Sequence, residues 1–201
     1  MRTRHPSDFH QGLTEERLSV IAETLLDVRF QTKRLLQSEF DDNYTRETAI
    51  FGRTKNRLIS MALDSKRDWM TLGQPTMDFT LKIEGVPVRV FAEDDPDAPQ
   101  KGGFFRRSTT DDLFATDDEV PVMFRFIVER APTDDAEDRV FFHGYNAQQV
   151  KVLEWLYRPA TRVLHAVDDV IPQPVDLPPP EVGAHEGEDE SKAGKDVQGR
   201  F

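Results

Sequence analysis

Residues 13–40, LTEERLSVIAETLLDVRFQTKRLLQSEF, spell a helix with a narrow apolar seam. Leu18, Ile21, Leu25, Val28, Thr32 and Leu35 recur at alternating steps of three and four, which stacks them on one stripe of an α-helix. That is the period by which helices pair lengthwise, so Leu18, Ile21, Leu25, Val28 and Leu35 are the residues a partner helix or a second copy would touch. The pattern lasts only about three heptads. Val20, Leu26, Phe30 and Leu36 add apolar positions outside the seam, and a helix that broad is usually surrounded by its own domain. Thr14 is a good N-cap, and Glu15 and Glu16 sit where carboxylates complement the positive end of the helix dipole. Leu13 and Leu18 occupy the two positions of a hydrophobic staple.

Working outward, the first helix is expected to stop near Phe40, because Asp41-Asp42-Asn43 is a run of turn and cap formers. A second helix is expected from about Tyr44 to Lys66, with Ile50, Phe51, Thr54, Leu58, Met61 and Ala62 on one broad face. Gly52 lies away from that face, where it costs helix stability. The short connection favours an antiparallel hairpin over residues 13–68. The period then changes to two: Met77, Phe79, Leu81 and Ile83 alternate with polar residues, Glu84-Gly85 turns, and Val86, Val88 and Val90 follow. Pro87 cannot donate a ladder hydrogen bond and so argues for an edge strand. Further strands are expected over Val120–Glu129 and Arg139–Tyr145. Asn146 is read as the cap of a helix reaching Arg158, with Val150, Leu153, Leu156 and Tyr157 buried; Thr161–Ile171 is ambiguous and read as helix.

The expected fold is therefore α+β: an N-terminal antiparallel helical hairpin, then an antiparallel sheet of about four strands with a C-terminal helix packed on it. Residues 1–12 are read as a flexible N-terminus, and 13–171 as one α+β domain with its sheet and helix over 76–171. The Pro-rich, acidic segment 172–201 lacks the apolar mass to offset ordering entropy and reads as a disordered tail.

Composition narrows the function classes. The formal charge of −11 is uneven: residues 1–70 balance at +1, so residues 71–201 carry −12. An acidic majority disfavours nonspecific binding to phosphate backbones, though a local basic face can still hold one. The chain has no cysteine, which removes disulfides, thiolate metal sites and cysteine nucleophiles. No stretch approaches the ~18 apolar residues that span a bilayer, and no apolar segment of a secretory signal follows the basic N-terminus. A cytoplasmic protein with no membrane partner is the expectation.

Four groups of residues bear on chemistry. Arg46, Arg53 and Arg57 fall within about 40° of one another at the ~100° step of an α-helix, a row that can meet phosphates or an acidic surface. Pairing with this chain's own 37 carboxylates is the simpler fate for them. Gly102-Gly103-Phe104-Phe105-Arg106-Arg107 can cradle an anion with backbone amides and Arg106 and Arg107, but fits no phosphate-loop spacing; phenylalanines plugging a core are the commoner explanation of such a loop. Acidic pairs and triplets, Asp94/Asp95/Asp97 among them, lie in loops without calcium-loop spacing, so no metal site is expected. The histidines are scattered, and no pair has metal-ligand spacing. His143 ends a strand beside Tyr145, a pair suited to acid–base work, although a structural histidine there is commoner. No nucleophile elbow or dinucleotide fingerprint is present, so no cofactor is expected.

These residues resemble no recognised family. The leading expectation is a non-enzymatic interaction protein, an accessory or regulatory subunit that binds another macromolecule, including self-association through the N-terminal helix. An acidic inhibitor or immunity-like protein is one version of it. The alternative is an anion or nucleic-acid binder using the basic helix face; the third is a small hydrolase-like enzyme centred on His143.

Overall fold

The computed structural model describes residues 4–76, 79–100, 102–106, 118–133 and 136–159. The expected helix over Thr161–Ile171 and the expected tail over 172–201 lie outside them. After a short 3-10 turn at Pro6–Asp8 come α1 (Glu15–Leu35) and α2 (Asn43–Ala62). Six strands follow: β1 (Met70–Gln74), β2 (Thr80–Ile83), β3 (Val86–Glu93), β4 (Met123–Glu129), β5 (Arg139–Tyr145) and β6 (Lys151–Leu156). The class is α+β, with one mixed sheet in the order β1-β2-β3-β4-β5-β6. Neighbours are antiparallel except β3 and β4, which run parallel from Val88↔Phe124 to Glu93↔Glu129.

Both helices start where side-chain oxygens replace missing backbone acceptors. Thr14 accepts from the Arg17 amide at 3.4 Å, and Asp42 accepts from the Thr45 amide at 2.7 Å. The α1 helix stops at Leu35, short of Phe40. There the Asp41 carboxylate accepts from both the amide and the hydroxyl of Ser38, each at 2.8 Å, and this local turn competes with another helical turn. One α1 stripe, with Leu18, Ile21, Ala22 and Leu25, packs with Leu58 and Met61 of α2 onto one sheet face. Strand alternation supplies that face with Leu81, Ile83, Val88, Phe124, Phe126, Val140, Phe142 and Leu153. Across the helix pair, the buried Arg29 guanidinium meets Glu47 of α2 at 2.8 Å and Asp138 beside β5 at 2.8 Å.

The opposite face carries Arg89, Phe91 and Glu93 of β3, Met123, Arg125 and Ile127 of β4, and Phe141, His143 and Tyr145 of β5. Part of it is covered by the segment after β3, whose Phe104 is buried against Phe91, Phe105 and Tyr145 in a second, smaller core.

Three expectations are corrected. Residues 146–158 are not a helix. The Asn146 side chain accepts from the amides of Gln148 (3.0 Å) and Val150 (2.9 Å), and Gln149 takes a positive φ of 66°, so the chain reverses into β6. Leu153, Trp155 and Tyr157 then alternate onto the helix-covered face, a period of two hidden beneath the helix-like spacing of Val150, Leu153, Leu156 and Tyr157. At Gly144 the hairpin packs so closely that an added Cβ would stand 2.7 Å from Pro121 Cβ and 3.0 Å from Leu153 Cβ. Second, the sheet has six strands and is mixed, because β1 and β6 were not expected and the link from β3 to β4 is a crossover. Third, β3 is interior although it holds Pro87. The two-residue turn Glu84-Gly85 makes Ile83↔Val86 the hydrogen-bonded closing pair, which leaves Lys82↔Pro87 non-hydrogen-bonded toward β2. On the other side the ladder with β4 begins only at Val88, so the missing N–H is never needed.

Candidate functional site

The sequence of β5, Arg139-Val-Phe-Phe-His-Gly-Tyr145, sends alternate side chains to opposite faces, which places His143 and Tyr145 together on the face away from the helices. Both are buried, and His143 is fully so. The His143 Nδ1 and the Tyr145 hydroxyl share a hydrogen bond at 3.1 Å. Register puts Arg125 on one side of His143 and Glu154 on the other. His143 Nε2 stands 3.5 Å from Glu154 Oε2 and has no hydrogen-bond partner among the described residues. Asp97, on the turn after β3, completes the group: one donor atom each from Asp97, His143 and Glu154 lies within 4.8 Å of the others. The Lys151 ammonium is hydrogen-bonded to both carboxylates.

Burial dominates the protonation of this group. It pushes His143 down to about 4, aided by the nearby Lys151 charge and opposed by Glu154 and Asp97, so the ring is neutral at pH 7. Burial and the Asp97 charge push the Tyr145 hydroxyl well above its ordinary range. Asp97 is held below the usual carboxylate range by its hydrogen bond from Lys151. Lys151 is raised: burial lowers it, and the bonds to Asp97 and Glu154 outweigh burial. A neutral imidazole with a free nitrogen beside two carboxylates can accept a proton or ligate a cation.

The arginine-and-phenylalanine segment has the opposite polarity from an anion cradle. Its carbonyls face inward and accept from cations: Arg89 donates to Gly103 O at 3.1 Å, and Arg125 to Phe104 O at 3.1 Å. Phe104 is buried, Arg106 is exposed, and Arg107 lies outside the described residues.

The hairpin residues divide. Leu18, Ile21 and Leu25 are covered by this chain's own core, Val28 is half-buried, and Leu35 is 65% exposed. Phe30, Phe40 and Tyr44 are also exposed, so large apolar side chains gather at the α1–α2 turn. Beside them opens a cleft of about 630 Å³ whose lining includes Lys33, Arg34, Arg46, Arg130, Glu47 and Asp94. Arg46 donates to the Leu36 carbonyl at 3.0 Å and so closes the end of α1. Arg53 and Arg57 are exposed and form no ion pair among the described residues.

Lys151 and Glu154 are the site residues that sequence reasoning missed, while Asp97 is named there only within an acidic cluster that lacks metal-site spacing. Glu154 faces His143 only when residues 151–156 are a strand, and Asp97 comes from a loop whose acidity looked ordinary. No described helix is long and apolar enough to cross a membrane. No protein-family model matches the chain, and no characterised protein or solved structure matches it either.

Proposed function

We propose that the chain is a non-enzymatic interaction protein, an accessory or regulatory subunit that meets another macromolecule with the turn end of its helical hairpin. The observation that carries this reading is where large apolar side chains stay in water. Phe30, Leu35, Phe40 and Tyr44 are 61%, 65%, 83% and 79% exposed and belong to the end of α1, the connection or the start of α2, whereas Phe51, Leu63, Val120 and Val150 are exposed at other places in the described chain. Scattered exposed apolar residues are ordinary, whereas a group at one end of one motif is the pattern of interaction sites. Aromatic and arginine side chains are also the types that dominate binding energy at interfaces. Because Lys33, Arg34, Arg46 and Arg130 outnumber Glu47 and Asp94 in the adjoining cleft, the matching partner surface is apolar with acidic groups. The buried seam residues Leu18, Ile21 and Leu25 serve to hold the hairpin on its sheet, so contact passes to its end.

The test is affinity capture from the native source by the wild type and by a Phe30→Ser/Phe40→Ser/Tyr44→Ser variant. These residues are exposed, so the variant should melt as the wild type does. The expected result is a partner retained by the wild type and lost by the variant. Equal retention, or no retained partner, rejects the reading.

A second reading has its own observation: Arg53 and Arg57 on α2 are exposed and form no ion pair among the described residues. An anion or nucleic-acid binder using them would bind in a salt-sensitive way and weaken when both become glutamine. Flat titrations at low salt would end that idea.

A further inference from the structure

We propose that His143 Nε2, Asp97 and Glu154 form a binding site for one divalent transition-metal ion of the zinc class, and that Lys151 is the cation that fills it in the metal's absence. This inference stands apart from the hairpin reading and rests on other residues.

Five observations meet here. The three donor atoms already lie within 4.8 Å of one another. His143 Nε2 and Glu154 Oε2, 3.5 Å apart, are close to the roughly 3.3 Å edge of a tetrahedral site with bonds of ~2.0–2.1 Å. His143 is fully buried, yet among the described residues its Nε2 is satisfied by no hydrogen bond, which is costly for a polar atom with no purpose there. Its other nitrogen is held by the Tyr145 hydroxyl at 3.1 Å. A proton on Nδ1, donated to the tyrosine oxygen, leaves the Nε2 lone pair facing the carboxylates. That is how ligating histidines are oriented by a group behind them.

Lys151 supplies the fifth observation. Its ammonium bonds to both carboxylates, so a positive charge already sits between them. The side chain is 30% exposed on a flexible stem and can swing out to solvent, leaving two carboxylates and a neutral imidazole for an incoming dication. Asp97 and Glu154 are 64% and 45% exposed, so they can close the remaining gap and the ion can reach them. The nitrogen donor selects against magnesium and calcium, which take oxygen ligands, and favours zinc or a neighbouring first-row ion. Three protein ligands leave the fourth position of a tetrahedral ion to water on the solvent side, the arrangement of open rather than closed zinc sites.

The full-length chain, stripped with chelator, is titrated with zinc chloride at neutral pH by calorimetry, with His143 followed by NMR in the same titration. The expected result is one saturable equivalent that shifts the His143 ring resonances. Asp97→Asn and Glu154→Gln, at exposed positions that the fold does not need, should each weaken binding at least ~10-fold. Lys151→Met, which removes the competing cation, should tighten it. Unsaturable binding overturns the proposal, as does binding that leaves the His143 ring unmoved. Wild-type affinity in either carboxylate variant, or weaker binding by Lys151→Met, overturns it too. Magnesium or calcium binding as tightly as zinc would reduce the site to an acidic surface and also defeat it.

Discussion

The Asp138 carboxylate accepts from the Arg29 guanidinium at 2.8 Å, the Lys33 ammonium at 2.9 Å and the Ala131 amide at 2.8 Å. One side chain thus ties α1 to the connection between β4 and β5, and through Arg29 to Glu47 of α2. Burial raises this carboxyl, but the Ala131 amide, Lys33 and Arg29 together outweigh burial and hold it below the usual aspartate range. A carboxylate whose folded value is depressed gives stability that is whole above the unfolded value, near pH ~4. That stability is lost as the pH falls through the lower folded value. Asp138→Asn removes one of the two carboxylates that face the buried Arg29, leaving Glu47, and urea unfolding at pH 7 should show a loss of roughly 1–3 kcal/mol. The gap between wild type and variant should narrow on acidification below pH ~4, because the wild-type carboxylate is then neutral as well. A gap that stays constant into acid would show that packing, not charge, holds this corner.

Among the elements, α1 carries two kinds of apolar residue, and substitution separates them. Leu25 is 2% exposed within the core, so Leu25→Ala should cost roughly 2–5 kcal/mol in denaturant unfolding. Leu35 is 65% exposed, and Leu35→Ala should change stability by less than ~0.5 kcal/mol. Comparable losses at both sites would mean that Leu35 is covered in solution. The helices were legible because their apolar residues repeat over several turns and because Thr14 and Asp42 mark where they begin. Strands β2 to β5 were legible from alternation, and Glu84-Gly85 from its turn chemistry. Residues 151–156 were not, since Leu153, Leu156 and Tyr157 satisfy a helical period while Leu153, Trp155 and Tyr157 satisfy a strand's. What decides between them is the Asn146 turn, whose side chain serves a hairpin as readily as a helix cap. The candidate site was half legible for the same reason. His143 and Tyr145 stand two apart on one strand, but Glu154 joins them only by cross-strand register and Asp97 only through the fold of a loop.

At the scale of the whole described structure, the strands form two antiparallel meanders, β1-β2-β3 and β4-β5-β6, joined side by side along the parallel β3–β4 ladder. Each meander consists of neighbours in sequence, and only that ladder pairs residues far apart, Val88–Glu93 with Phe124–Glu129. Local pairings form with little loop-closure cost, so the ladder is the late, entropy-limited contact. It follows that the molecule can be opened there without dividing a hairpin. Two separately produced pieces, cut between Thr110 and Asp111, would each keep a complete meander and should reunite when mixed, copurifying in equal amounts and regaining the circular dichroism of the intact chain. Pieces that stay apart would show that chain continuity, rather than the ladder and the helices lying over it, holds the halves in register. Reunion would show that the contacts along this one seam are enough to align the two halves without a covalent link.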